Sequence, residues 1–287
     1  MKFFQISLPD NHQLVLFGDN QEGNIASSHK DFDECIEYIM STPNCYAAHM
    51  GDAVEAYWID DPRYLPETCT HPPLRQAQFI IKKFLPLVKE GKLITMLMGN
   101  HEAALIRKAG DITEFICEEL RNATGSEWPY YGTYSAKVEV MSGKDLQYKF
   151  HITHGRRAIN SVSPDPRRRI AYMKHTLQRH LEPIFADAVL QGKGHTHRLL
   201  VAEPEPQLYL ISAKGKIKQQ YTKPSTGKDL YIPPELRYYV NTGSFLKTYE
   251  EGVSTYSEIA EYGPVELGYI LAEVNDRAMT SVKAVVL

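Results

Sequence analysis

Cysteine is scarce in this chain of 287 residues, and no two of its four cysteines form a Cys-x-x-Cys pair. They are scattered at Cys35, Cys45, Cys69 and Cys117, which favours reduced thiols in a cytoplasmic protein over a disulfide framework. Long apolar runs are also missing. None approaches the roughly 20 residues that a helix needs to span a bilayer, so we expect no membrane partner. The first six residues indicate neither a signal peptide nor an anchor.

The chain has no strong excess of charge of either sign. Its net charge is -3, with 43% hydrophobic and 23% charged residues, which is ordinary for a soluble globular protein. Any preference for nucleic acid must therefore come from a local cluster. No repeat, low-complexity segment or obligate protein partner is evident. The length allows one large domain or two small ones.

Short apolar runs alternate with segments of helical periodicity. We predict helices at residues 31–40, 74–90, 103–108, 112–120 and 167–190. We predict strands at residues 14–17, 46–50, 93–98, 134–141, 146–153, 208–211, 238–241 and 269–274. Strands that alternate with helices, followed by more strands, indicate two packed sheets flanked by helices.

Five short polar segments each follow an apolar run, and together they contain the oxygen and imidazole ligands of a two-metal hydrolytic site. In chain order they are Asp19-Asn20-Gln21, Gly51-Asp52, Gly99-Asn100-His101-Glu102, His154-Gly155 and Gly194-His195-Thr196-His197. Any one of them alone is more often a turn or a loop than a metal site. The complete ordered set predicts a metal centre.

The ordered set resembles the calcineurin-like metallophosphoesterase superfamily, whose pattern runs D-x-H, GD, GNH, H and GHxH. The resemblance covers residues 12–250 and departs at one position, where Gln21 replaces the usual histidine. It implies an α/β (α+β) fold, a four-layer αββα sandwich of two mixed β-sheets flanked by helices. We expect a single domain over residues 1–287, with a loop or hairpin insertion at residues 212–235.

The resemblance also implies two divalent metal ions that share one carboxylate and activate a hydroxide for attack on phosphorus. The first ion would be held by Asp19, Gln21, Asp52 and His197, and the second by Asp52, Asn100, His154 and His195. Two aspartates cancel only half of the charge of two divalent cations. The remaining positive charge attracts a phosphate dianion.

Gln21 decides which metal is expected. Its amide oxygen is a neutral and weaker donor than imidazole, so we predict manganese in one tight and one weaker site, with iron, zinc, nickel or magnesium as alternatives. A second interpretation is that Gln21 does not ligate and that water takes its place. Some nucleotide-hydrolysing members of the superfamily resemble this chain in having glutamine there, so the change does not imply an inactive site.

His101 follows the ligand Asn100 and is the expected general acid, which would protonate the leaving alkoxide. An imidazole in that role needs an acidic partner that orients it and holds its charge. Glu55, three residues after Asp52, stands where the protein phosphatases of this superfamily carry the aspartate that partners this histidine. The alternative is that Glu55 is a solvated loop residue.

Basic and aromatic side chains favour a nucleotide or nucleic-acid phosphoester as the substrate. Residues 156–180 contain seven arginines and lysines against one acid, and Arg156 and Arg157 could reach a phosphate. Tyr57 and Trp58 could stack on a nucleobase near the metals. The alternatives are a solvated helix face and aromatic residues that stiffen their own loop.

We therefore expect a hydrolase of phosphodiester or pyrophosphate bonds in nucleotides or nucleic acid. The protein phosphatase signature places an arginine soon after Gly-Asp, and the stretch Asp52-Ala53-Val54-Glu55-Ala56-Tyr57 has none. A phosphomonoesterase acting on a protein or a small molecule is the alternative. A non-catalytic metal-binding protein is the remote alternative, against which the retained ligand set argues.

Overall fold

Two six-stranded mixed β-sheets lie face to face in the computed structural model, which describes residues 1–225 and 227–287. The first sheet has the spatial order β14 (Ala278–Val286), β13 (Gly268–Asn275), β2 (His12–Phe17), β3 (Cys45–His49), β4 (Leu93–Met96) and β5 (Tyr130–Tyr131). The second has the order β1 (Lys2–Ser7), β6 (Ser135–Ser142), β7 (Asp145–Thr153), β8 (Leu190–Lys193), β12 (Tyr238–Thr242) and β9 (Leu199–Ala202).

Each sheet contains a parallel block. In the first sheet β2, β3, β4 and β5 are parallel, and in the second sheet β7, β8 and β12 are parallel. The remaining strands close the edges, mostly by antiparallel pairing. Parallel neighbours end at the same edge of a sheet, so residues that follow these strands are brought together.

Helices cover the outer faces of both sheets. The first sheet carries α1 (His29–Ser41), α2 (Pro73–Lys89), α3 (Asn100–Ala109) and α4 (Ile112–Thr124), and the second carries α5 (Pro166–Leu181). A short helix α6 (Tyr256–Ile259) and a 3-10 turn at Pro234–Leu236 lie in the later connections. This arrangement confirms the predicted four-layer αββα sandwich.

The alternation of side chains along β2 shows how the layers are held together. Leu14 and Leu16 point between the two sheets and join a core that includes Phe150 of the second sheet. Val15 and Phe17 point the other way and pack under the helices. Successive residues of a strand face opposite sides, so a strand buried on both faces reads as one continuous apolar run.

The predicted helix over residues 167–190 is too long. Helix α5 ends at Leu181, and Leu190 already begins β8. Pro183 lacks the backbone N–H that another helical turn requires, so the chain turns before it enters the second sheet. The apolar residues before Leu190 extended the helical pattern in the sequence, although they lead into a strand.

A hairpin overlaps the predicted insertion at residues 212–235. Strands β10 (Leu208–Ala213) and β11 (Lys216–Tyr221) form an antiparallel hairpin outside both large sheets. Lys214 and Gly215 both have positive φ angles, as a tight two-residue hairpin turn requires. Leu208 pairs with Tyr221, so the whole of β10 belongs to this hairpin.

Several short or edge strands were missed in the sequence, namely β1, β5, β9, β11 and β14. They have few residues or one exposed face, so their apolar pattern is weak. The four cysteines are free thiols. No helix of the described chain has the length and apolar character to cross a membrane.

Candidate metal centre

The predicted ligands meet where the parallel strands of both sheets end. Asp19 and Asp52 lie just beyond β2 and β3, and Asn100 begins α3 just after β4. His154 follows β7 and His195 follows β8 in the facing sheet. Both sheets therefore contribute ligands at the carboxyl ends of their parallel strands, and the sheets give the centre a rigid support.

Five of the seven predicted ligands hold a left-handed backbone conformation that residues other than glycine rarely adopt. The φ angles are +52° at Asp19, +45° at Gln21, +51° at Asp52, +74° at His195 and +51° at His197. Each such residue costs roughly 1–3 kcal/mol, and residues of this kind cluster at functional sites. Hydrogen bonds around each turn stabilise this strained backbone conformation. The turns direct the ligand side chains toward a common point.

Glycines allow the ligand loops to approach one another. A Cβ on Gly51 would lie 2.7 Å from Nδ1 of His154, and a Cβ on Gly99 would overlap the carboxylate of Asp52. Gly51 also has a φ of +98°. The Gly-Asp and Gly-Asn-His segments need glycine because backbone and ligand pack directly against each other.

One set of ligands forms a compact cluster around Asp52. Asp52, His154 and His195 each offer a ligand atom within 4.8 Å of the other two. Nε2 of His154 lies 3.2 Å from Oδ2 of Asp52 and 3.1 Å from Oδ1 of Asn100. Nδ1 of His195 lies 2.5 Å from the same oxygen of Asn100. These four residues are the predicted second ligand set.

The predicted first set surrounds a carboxylate oxygen that lacks a partner. Oδ1 of Asp19 is buried and makes no hydrogen bond within the described residues, and Nε2 of His197 lies 3.4 Å away from it. The amide nitrogen of Gln21 lies 3.4 Å from the same nitrogen of His197. A buried carboxylate oxygen without a partner is costly. A divalent cation between Asp19 and His197 would satisfy it, so the residues fit the implied metal.

The charges of the centre depend on one another. Burial opposes ionisation of Asp52, but His154 and His101 together hold the pKa of Asp52 well below its usual range. Burial also disfavours a charged His154, yet the contact with Asp52 raises the pKa of His154 to about 9. Burial lowers the pKa of His195 to about 4. A cation that binds the neutral imidazole of His154 would replace its proton.

A buried glutamate that the sequence reasoning did not assign fixes two of the ligand loops. The carboxylate of Glu102 accepts backbone N–H bonds of 2.6–3.2 Å from Asp52, Ala53, Val54 and Gly99. Glu102 is the third helical residue after the N-cap Gly99. A glutamate at that position is the signal of a capping box, and this signal could have identified it.

His49 and Asn20 form a second support that the sequence did not reveal. Nε2–H of His49 donates to Oδ1 of Asn20 at 2.8 Å, and the Asn20 amide donates to the carbonyl of Ala53 at 2.7 Å. Nδ1–H of His154 donates to the carbonyl of Met50 at 2.8 Å, which leaves Nε2 facing the centre. The ligands are thus held by residues behind them.

His101 lies beside the ligands, and Glu55 contacts its Nδ1 with both its backbone and its side chain. Nδ1–H of His101 donates to the main-chain carbonyl of Glu55 at 2.8 Å. The carboxylate of Glu55 lies 3.6 Å from that nitrogen, and its other oxygen accepts a bond from Asn24. Nε2 of His101 is directed at the centre, 3.9 Å from Oδ2 of Asp52. The hydrogen bond of Nδ1–H is therefore accepted by the backbone of Glu55, and the carboxylate of the same residue lies slightly further away.

A cavity of about 370 Å³ opens over the centre. Tyr57, one of the predicted substrate-binding residues, lines it and stacks on the His101 ring at 4.7 Å. Trp58 is 44% exposed and does not line this cavity. Arg156 donates to the hydroxyl of Tyr134, and Arg157 is exposed; both lie outside the lining. The loop beyond His154 turns these arginines outward.

Other residues, which the sequence reasoning missed, complete the cavity wall. Its cationic side chains are Arg63, Arg198 and Lys247, and Tyr256 and Tyr262 form part of the rim. They come from three separate connections between strands and helices. Apart from Arg198, which follows the last ligand directly, they carry no signal in the sequence that would link them to the motifs.

Comparison with protein-family models and with curated proteins finds no match. Among solved structures the chain is similar to a conserved uncharacterized protein, a predicted phosphoesterase, from Streptococcus pneumoniae, with 11% identity, a TM-score of 0.31 and coverage of 96% of this chain and 98% of that chain. It is also similar to Vacuolar Protein Sorting 29 from Cryptosporidium parvum, with 13% identity, a TM-score of 0.32 and coverage of 96% and 99%.

A variant of Vps29 from Entamoeba histolytica gives 13% identity, a TM-score of 0.28 and coverage of 96% and 99%. Scores of this size carry no argument about function. The resemblance of this chain to the calcineurin-like metallophosphoesterases rests on the order of its motifs, its two-sheet fold and the ligands that the fold assembles.

Proposed function

We propose that this protein is a metal-dependent phosphoesterase whose centre holds two divalent cations. One observation carries the proposal: oxygen and imidazole ligands from both sheets converge on Asp52, with the unliganded imidazole of His101 directed at the same point. Asp52 contacts the second set directly and lies beside the first, as a bridging carboxylate must.

The residues around the cations have separate tasks. Two bound divalent ions would supply an activated water and would neutralise charge on the phosphate. The imidazolium form of His101 carries a second proton at Nε2 that it can give to the leaving oxygen, while its Nδ1–H is held on the carbonyl of Glu55. The ring of Tyr57 covers one face of His101 and excludes water from it.

We further propose that the substrate is a phosphodiester or pyrophosphate of the nucleotide class. Tyr256 and Tyr262 border the cavity, are exposed and offer flat apolar surfaces for a base. A cavity of about 370 Å³ suits a nucleotide-sized ester. We expect manganese to support turnover best, because carboxylate and amide oxygens form much of the ligand set.

A substrate screen tests this proposal. Purified, manganese-loaded protein is assayed on dinucleotides, single-stranded DNA, RNA, bis(p-nitrophenyl) phosphate and p-nitrophenyl phosphate. We expect the protein to hydrolyse dinucleotides and the bis-ester. A metal chelator should abolish this activity, and salt concentration should change it little. A rate on p-nitrophenyl phosphate well above that on the bis-ester would favour the alternative phosphomonoesterase. Failure to hydrolyse any ester with any of the five candidate metals would contradict the proposal.

Metal content gives a test that does not depend on the substrate. We expect two manganese ions per chain, one bound more weakly than the other. The variant Asp52→Asn has almost the same volume but loses the charge of the bridging group, so it should lose both ions. Asp165→Asn, at the exposed N-cap of α5, is the matched control and should retain them.

A further inference from the structure

Three cationic side chains line the cavity beside the metal centre, and two of them are already neutralised. Arg63 donates two bonds of 3.0 Å to the carboxylate of Asp61. Lys247 forms an ion pair with Glu250. Arg198 also lines the cavity. Across residues 1–225 and 227–287, its guanidinium has neither an ion pair nor a hydrogen bond, so it is the lining cation available to a ligand.

The backbone of Arg198 is fixed, although its guanidinium is free. Asn241 is completely buried and bonds to both sides of the turn that carries His197. Its amide nitrogen donates to the carbonyl of Arg198 at 2.5 Å, and its amide oxygen accepts from the hydroxyl of Thr196 at 3.0 Å. Asn241 belongs to β12, which pairs with β8 on one side and β9 on the other.

This support gives Arg198 a defined place next to the centre. It follows the ligand His197 directly in the chain, and its side chain lines the cavity beside the metal ligands. A buried clamp on the turn lowers the conformational entropy that Arg198 would lose when it binds. An arginine that is fixed at its base and unpaired at its tip is suited to a planar, two-pronged anion contact.

We propose that Arg198 forms an anion subsite that binds a phosphate oxygen of the substrate. The inference rests on the proposed function and adds a residue to it. Two other cations line the cavity, but Arg63 is paired with Asp61 and Lys247 with Glu250, so they attract an anion less strongly. Among the described residues, Arg198 is the lining cation without an ion-pair partner, and its charge adds to that of the metal ions.

Equilibrium binding of inorganic phosphate tests the subsite without any turnover. Manganese-loaded wild-type protein, Arg198→Ala and Arg198→Lys are titrated with phosphate in a calorimeter. Loss of a charge-assisted hydrogen bond should weaken phosphate binding by roughly 10- to 100-fold in Arg198→Ala. The phosphate affinity of Arg198→Lys should lie between those of the wild type and Arg198→Ala, because lysine keeps the charge but cannot make the two-pronged contact. Manganese affinity should not change in either variant, since neither removes a ligand.

Lys247→Ala is the matched control, because it removes a cation of the same cavity that is already paired. It should bind phosphate as the wild type does. Equal phosphate affinity of wild type and Arg198→Ala would overturn the subsite, as would failure of the loaded wild type to bind phosphate. Absence of turnover on every ester, with phosphate binding intact and dependent on Arg198, would instead count against the proposed function.

Two substrates then distinguish which phosphate is bound. If Arg198 holds the phosphate that is cleaved, Arg198→Ala should raise KM on bis(p-nitrophenyl) phosphate and on a dinucleoside pyrophosphate alike. If it holds a neighbouring phosphate, the rise should be confined to the pyrophosphate. Unchanged KM on both substrates would contradict the inference.

Discussion

Gln21 lies between a predicted metal ligand and the proposed general acid. Its amide nitrogen is 3.4 Å from Nε2 of His197 in the first ligand set and 3.3 Å from Nε2 of His101, the proposed general acid. A half-turn of the amide would direct its oxygen at a cation near His197. This one side chain can therefore influence both metal affinity and proton transfer.

We expect Gln21→His to raise affinity at the weaker metal site and to shift preference from manganese toward zinc, since imidazole is the better zinc ligand. The gain should be about tenfold or more, comparable with other changes close to a metal. Competitive titration of manganese and zinc measures it. Unchanged affinity and preference would show that Gln21 does not ligate.

His101→Asn should lower turnover of poorly activated esters by roughly 10²- to 10⁴-fold, because no group then protonates the leaving oxygen. Aryl esters, whose leaving groups need little protonation, should be affected less. Metal content should stay at the wild-type value, which separates loss of the acid from loss of the centre.

Glu55→Gln, compared with His101→Asn, tests whether the carboxylate charge of Glu55 is needed for the role of His101. Since His101 is held by the main-chain carbonyl of Glu55, this variant should retain most of the activity. Burial raises the pKa of the Glu55 carboxyl, so burial opposes its charged form. A loss as large as that of His101→Asn would show that the carboxylate charge is needed, as the sequence suggested.

At the scale of elements, the start of α3 joins two ligand loops through Glu102. We expect Glu102→Gln to destabilise the fold by about 2–3 kcal/mol, because an amide nitrogen would replace an oxygen that accepts bonds from backbone N–H groups. Urea unfolding measures the change. Glu114→Gln, exposed in the first turn of α4, is the control and should lie within about 0.5 kcal/mol of wild type.

The hairpin of β10 and β11 should be dispensable for the fold. Nearly all of its residues are exposed, and its base is closed by bonds of 2.9 Å between Gln207 and Thr222. Replacing residues 207–222 with a short glycine-serine link should leave manganese binding intact and shift Tm by only a few degrees, since little core is removed. Loss of metal binding on deletion would show that the hairpin supports the centre.

At the scale of the whole molecule, a buried histidine of the second sheet should make the fold sensitive to acid. Burial lowers the pKa of His151 to about 4 from an ordinary value near 6.5. Above pH 6.5 the imidazole is neutral in both states and stability is fully present. Below that pH only the unfolded chain takes up the proton, so stability falls until the pH reaches the folded pKa.

We expect the metal-free wild type to lose about 2 kcal/mol more unfolding free energy between pH 7 and pH 5 than His151→Leu does. Denaturant unfolding of both proteins at the two pH values measures the difference. The other titrating groups are shared, so they cancel in the comparison. Equal losses would mean that His151 is protonated in the folded state.

The strand ends were readable in the sequence because β2, β3 and β4 are short apolar runs that stop at polar ligands. That pattern indicated sheets covered by helices, since parallel strands are usually buried on both faces, and the resemblance to the metallophosphoesterases implied the four-layer arrangement. The end of α5 was not readable, because apolar residues before Leu190 suit a helix and a strand equally. Edge strands such as β14 were missed for the opposite reason: one exposed face weakens their periodicity.

The sequence by itself determined the chemical nature of the site. The residue types of the ligands, their order along the chain and their positions after apolar runs can all be read without the fold, and together they predict a metal centre. Tertiary structure decided the rest. The carbonyl of Glu55 accepts the hydrogen bond of His101, Arg156 donates to Tyr134 outside the cavity lining, and within residues 1–225 and 227–287 Arg198 is the lining cation left unpaired. These outcomes depend on contacts between segments that are far apart in the chain. A local sequence pattern does not specify which of several similar side chains will be paired by such contacts.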